Sequence, residues 1–273
     1  MTPAPRFALN HIAAPRLAFA AFAGLARDLG LTEVEIRNDL PGVALADGTP
    51  AGAVREAADR AGVNILSINA LQRFEDWNAA RAAEAEMLAG YAEACGARAL
   101  VLVATNSRDD RRDGAQRSDD LRRALTALRA ILSARGLTGL VEPLGFEECA
   151  LRLKATALEA IDATGGGTVF AVVHDTFHHY LAGETALFPE RTGLVHISGV
   201  EDASLARADI RDAHRVLVGP ADLMDNVGQI GALLRGGYHG AFSFEPFAES
   251  IHALPDIAAA LRDSMTLIRA HVV

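Results

Sequence analysis

Val169–Tyr180 reads VFAVVHDTFHHY. Val169 to Val173 is an apolar, β-branched run, the pattern of a strand buried on both faces of a parallel sheet. The run stops abruptly at His174 and Asp175, with His178 and His179 close behind. Titratable groups at the carboxyl end of a buried strand make a poor core. They make a good site, because ligands of parallel α/β folds bind where the strands end. Three other apolar runs end in the same way: Glu142 in LVEPLGF, His196 in LVHISG and Glu245 in FSFEPF. Each has a plainer reading on its own. Glu142 could be an exposed strand-end acid, Asp175 a turn cap, and His196 a hydrogen-bonded core residue. Together they fall at the same end of four successive strands. Three converging carboxylates repel one another, and a divalent cation resolves the conflict. Glu142, Asp175, His196 and Glu245 therefore read as the ligands of one divalent metal ion. Three oxygen donors with one imidazole suit Mn, Mg, Co or Zn.

Working outward, the chain alternates strands and helices. Strands are expected over 6–11, 32–36, 64–69, 99–103, 137–142, 169–173, 193–197 and 241–245. Helices are expected over 17–29, 51–61, 78–95, 156–163, 221–234 and 254–272, with another from an N-cap at Ser118 to Arg135 and only a short one within 180–191. Gly30, Gly62, Gly96 and Gly136 stand where helices should stop. Strict alternation implies a parallel sheet with right-handed crossovers. Eight repeats in 273 residues favour a single closed (β/α)8 barrel over an open sheet, one α/β domain spanning 1–273. The long charged stretch from Ser198 to Pro220 would lie on the active face, where it could serve as a lid.

The charge balance narrows the partners. A formal net charge of -9 argues against nucleic acid, which demands a basic surface. The two cysteines, Cys95 and Cys149, make no disulfide framework, so a reducing cytoplasm is the expected compartment. The first ten residues lack the charged start and apolar core of a signal peptide, and the Ala-rich run from Leu17 is too short to span a bilayer. Lys154 is the only lysine among 26 basic residues, so Schiff-base chemistry would have to use it. The mixed-charge run from Arg108 to Arg123 reads as a solvated loop and helix start rather than a phosphate site.

The same segments resemble the xylose-isomerase-like barrel superfamily of sugar isomerases and epimerases, and within it the inosose (2-keto-myo-inositol) isomerase type. The resemblance rests on Glu142 in EPLGFEEC, Asp175 and His178 in HDTFHH, His196 in HIS, Asp212 and Arg215 in DAHRVLVGPADL, and Glu245 in FSFEPF. Glu35-Ile36-Arg37 and Ala70-Leu71 also match, so the likeness runs from about Phe7 to the last helix. It implies a metal-dependent isomerase or epimerase of a keto-polyol, most simply 2-keto-myo-inositol, in inositol or carbohydrate catabolism. A proton beside the carbonyl would leave through a metal-bound cis-enediolate. Glu142 and Glu245 would serve as base and acid. His178 and Arg215 would hold substrate oxygens, with Asp212 beside them. Separately from the resemblance, His11, Asn69 and Trp77 stand at or just beyond strand ends and are expected to line the pocket. Homo-oligomers are common in such a family, and neither nucleic acid nor membrane is an expected partner. Inosose dehydratase and keto-hexose 3-epimerase are the nearest alternatives. An endonuclease-IV-like phosphodiesterase would need more strand-end histidines and a basic face, and a non-catalytic sugar-binding barrel would not need the full ligand set.

Overall fold

A computed structural model describes residues 3–42 and 44–272. The expected domain of 1–273 and the reading of the first ten residues therefore extend partly outside the described residues. Eight strands form one closed parallel barrel in sequence order: β1 (Arg6–Asn10), β2 (Glu33–Arg37), β3 (Asn64–Gln72), β4 (Ala99–Val103), β5 (Thr138–Glu142), β6 (Phe170–Asp175), β7 (Thr192–Ile197) and β8 (Ala241–Phe244). β1 pairs with β8 to close the ring. Around it run α1 (Phe19–Asp28), α2 (Ala44–Asp47), α3 (Ala51–Ala61), α4 (Ala79–Cys95), α5 (Gly114–Ser133), α6 (Lys154–Ala163), α7 (Thr176–Ala182), α8 (Asn226–Arg235), α9 (Glu249–His252) and α10 (Ile257–His271). The fold class is the one expected, a (β/α)8 barrel.

Burial follows from the strand sequences. In β4, ALVLV is buried at every position, because one face fills the barrel and the other meets the helices. The helices turn apolar stripes inward, such as Leu121, Leu125, Leu128 and Leu132 of α5. Gly62 and Gly96 close α3 and α4 in the left-handed region, at φ 71° and 82°, where other residues are strained.

Helix starts differ from the expectation where a cap lies in a loop. Asp113, not Ser118, caps α5, through a reciprocal capping box with Gln116. Asp225 caps α8, so that helix begins five residues later than Ala221. The closing segment is two helices, α9 and α10, and Asp256 caps the second. α7 begins directly at the end of β6, with Asp175 as its N-cap, so the HDTFHH motif straddles a strand-to-helix corner.

Candidate active site

Four strand ends meet over the mouth of the barrel. One ligand atom from each of Glu142, Asp175, His196 and Glu245 lies within 4.8 Å of the others. Parallel register carries the residues there: Asp175 of β6 faces His196 of β7, and His196 faces Ser243 of β8, two residues before Glu245. All four side chains are buried. The structure brings together the four residues that the sequence pattern singles out.

Each member is held by its surroundings. Asp175 Oδ1 accepts the backbone N–H groups of Phe177 and His178, which leaves Oδ2 turned to the cluster. His196 Nδ1 lies 2.8 Å from Glu142 Oε1 and 3.3 Å from Glu245 Oε2. Its Nε2 lies 3.2 Å from Glu35. Glu35 is fully buried, and its Oε2 accepts from Ser67 Oγ at 2.6 Å and Asn69 Nδ2 at 2.8 Å. Asn10 Nδ2 donates to Glu245 Oε1 at 3.0 Å. Arg215, also buried, donates through one nitrogen to Asp175 Oδ2 at 2.7 Å and Glu245 Oε2 at 2.9 Å. Its guanidinium is packed against the rings of Phe177 and Phe247, 4.7 Å from each centroid.

The electrostatics describe a site short of positive charge. Burial, followed by the facing Glu142 and Asp175, pushes Glu245 up to about 7 against the pull of His196 and Arg215. Burial works to neutralise His196, yet Glu245, Glu35 and Glu142 outweigh it and hold the imidazole well above its ordinary pKa. Burial also opposes ionisation of Glu35, but the charge and hydrogen bond of His196 bring it down to about 2. Asp175 is likewise brought to about 2, with Arg215 the main counterweight to burial. Three carboxylates and an imidazole packed this closely are the donor set of a divalent cation, and the residues present fit one.

A cavity of about 930 Å³ opens above the cluster. Glu142, Glu245, His178, Arg215, Asp212 and Asn69 all line it, so six of the residues expected at the site share one wall. Asp175 and His196 are not among its lining residues. His178 is buried, its Nδ1 has no partner, and its ring packs edge-on to Phe146 and Phe177. Gly145 lets this happen: a Cβ there would come within 2.1 Å of the His178 carbonyl oxygen. Asn69 reaches the cavity from a cis Asn69–Ala70 peptide while holding Glu35.

Two expected pocket residues stand elsewhere. His11 is buried in packing, with Nε2 at 2.8 Å from the Leu17 carbonyl and its ring stacked on Phe22. Trp77 is partly buried against the core and does not line the cavity. Lys154 is buried outside the cavity, where Nζ pairs with Glu184 at 2.8 Å and meets His179 Nδ1 at 2.8 Å. His174 meets Gln229. Both flanking histidines and the lone lysine thus belong to one packed network. His214 Nδ1 accepts the N–H of Arg211 and steadies the loop.

Sequence reasoning missed three parts of the site. Glu35 was legible as a family match without a role, although a carboxylate alternating with Val34 and Ile36 in EVEIR is a sign of a buried partner. Ser198, which accepts from Arg215 Nε at 2.9 Å, carries no local signal. Part of the mixed-charge run lines the cavity rather than only facing solvent, from Asp109 to Arg112.

The sequence pattern described as xylose isomerase-like TIM barrel matches residues 23–271. A xylose isomerase domain-containing protein from Salmonella typhimurium LT2 is 32% identical, covers 98% of this chain and 98% of its own, and superposes with a TM-score of 0.89. IOLI protein, solved with a binding zinc atom, is 18% identical over 98% of this chain and 99% of its own, with a TM-score of 0.85. L-ribulose 3-epimerase is 19% identical over 98% and 92%, with a TM-score of 0.70. At those identities the last two share the fold with this chain. No curated protein matches it in sequence.

Proposed function

The chain belongs to the xylose isomerase-like TIM barrel family, and from that premise we propose that it is an isomerase or epimerase of a keto-polyol, with 2-keto-myo-inositol as the first candidate. Glu142, Asp175, His196 and Glu245 would hold one divalent cation. Such a cation supplies a Lewis acid that polarises a carbonyl and balances the negative charge left when a neighbouring proton is removed.

One observation carries the reading. Of the four clustered residues, Glu142 and Glu245 also line the cavity, whereas Asp175 and His196 do not. The two glutamates therefore face the cation position and the substrate together. One takes the proton next to the carbonyl, and the other returns a proton to the enediolate. Acid–base help of this kind is worth about 100- to 10,000-fold. His178 lines the cavity and would hold a substrate hydroxyl. Arg215 and Asp212, joined at 3.3 Å, offer a donor and an acceptor from the loop after β7. Phe247 and Leu144 give apolar surface to the ring carbons.

Glu142→Gln and Glu245→Gln are expected to lower turnover at least 100-fold each while the folded far-UV spectrum and unfolding midpoint stay close to those of the parent. Near-parental turnover in either variant would defeat the two-carboxylate scheme. A keto-hexose 3-epimerase is the second reading, supported by the fold shared with L-ribulose 3-epimerase. It uses the same two glutamates and is distinguished by substrate alone.

A further inference from the structure

The cavity is much larger than the substrate just assigned to it. A six-carbon polyol has twelve non-hydrogen atoms and fills on the order of 200 Å³, allowing each atom about half the volume of a liquid water. The cavity holds about 930 Å³. The surplus lies away from the four-residue cluster, between the loop after β3 and the loop after β4, and it has a built wall. Glu75, 1% exposed, accepts the N–H of Thr105 through both oxygens at 3.1 and 3.0 Å, and Arg112 at 2.8 Å. Arg112 is held further by Asp110 and Asp120. This scaffold fixes the second loop from beneath.

The chemistry of that wall identifies what it would hold. Arg73, Arg111 and Arg112 line it together with Asp76, Asp109 and Asp110, so its formal charges cancel. Arg73 is spent on Asp76 at 2.8 Å and Arg112 on its carboxylates, which leaves no cluster of free cations for a phosphate. Thr105 is 6% exposed, lines the cavity, and its hydroxyl has no partner. A buried hydroxyl without a partner is costly, and rotation of the Thr105 side chain toward the cavity would let a ligand hydroxyl satisfy it. Val103 and Ala104 add apolar surface beside it. Mixed donors and acceptors with no net charge, next to small apolar side chains, are the features of a subsite for a neutral polyhydroxyl ring.

We propose that this compartment is a second sugar subsite, and that the substrate is a keto-polyol bearing a glycosidically linked neutral sugar rather than the free monomer. The inference rests on the reading of the cluster as a keto-polyol site, and it extends that reading to the substrate class. Binding alone tests it, using ligands that cannot react. The manganese-loaded protein would be titrated calorimetrically with myo-inositol, with its galactoside galactinol, and with inositol 1-phosphate. Galactinol is expected to bind at least tenfold more tightly than myo-inositol, with the phosphate no better than the parent polyol. Thr105→Val, close in shape, and Arg111→Ala, at an exposed position, should each bring the galactinol-to-inositol ratio toward one. Equal affinities for the two polyols, including none measurable for either, would overturn the subsite, as would a preference for the phosphate. Galactinol preference without proton exchange from either 2-keto-myo-inositol or its galactoside would leave the subsite standing and defeat the isomerase reading instead.

Discussion

His196 divides its two ring nitrogens between different partners. Nε2 meets the buried carboxylate of Glu35 at 3.2 Å, and Nδ1 turns to Glu142 and Glu245. A carboxylate behind a metal-binding imidazole fixes the tautomer and raises the basicity of the nitrogen that faces the cation. Glu35→Gln keeps the side-chain shape and an acceptor but removes the charge. It is expected to weaken manganese binding by roughly 10- to 100-fold, read by competition with a chelator. Unchanged affinity would reduce Glu35 to a packing role. The four clustered residues were legible in the sequence because each sits at the end of an apolar run, a local signal. Glu35 and Ser198 were not legible in the same way, because their meaning lies in contacts 161 and 17 residues away in sequence. His11 and Trp77 show the converse. A strand-end position directed attention to His11, but stacking on Phe22 turns it into the packing beside α1.

Among the elements, the corner formed by β6 and α7 explains why so many titratable residues crowd behind the site. Lys154 starts α6, and Glu184 follows α7. Glu184 accepts the N–H groups of Lys154 and Ala155 at 3.2 and 3.0 Å, and its carboxylate pairs with Lys154 Nζ. One acid therefore caps α6 and neutralises a buried ammonium. Burial lowers the pKa of Lys154, and Glu184 opposes that shift. Lys154 Nζ in turn meets His179 Nδ1, and burial with the lysine charge brings His179 down to about 4. Glu184→Ala removes the cap and leaves the lysine unpaired, and should cost about 2–4 kcal/mol in urea unfolding. A loss under about 0.5 kcal/mol, the range of ordinary surface changes, would contradict this account of the corner. The helices themselves were readable from periodicity and from terminal glycines. Their starts were less so, since Asp113 and Asp225 cap through loop conformations that no apolar pattern announces.

For the whole molecule, the barrel was legible because each of eight strands is a short apolar run followed by a helical repeat, and closure needs only that number and alternation. The size and lining of the cavity were not, because they arise from loops that sequence places only as connections. The described helices include none long and apolar enough to cross a membrane. All eight strands deliver their carboxyl ends to one face, and the account holds that this face removes and returns a proton beside a ketone. The most direct test is proton–deuterium exchange by NMR, with the metal-loaded protein and 2-keto-myo-inositol in heavy water. The account predicts loss of one signal adjacent to the carbonyl, growth of a second keto-inositol, and neither change in Glu142→Gln or Glu245→Gln. Retention of every such signal by a protein shown to bind the metal and the ketone would contradict it.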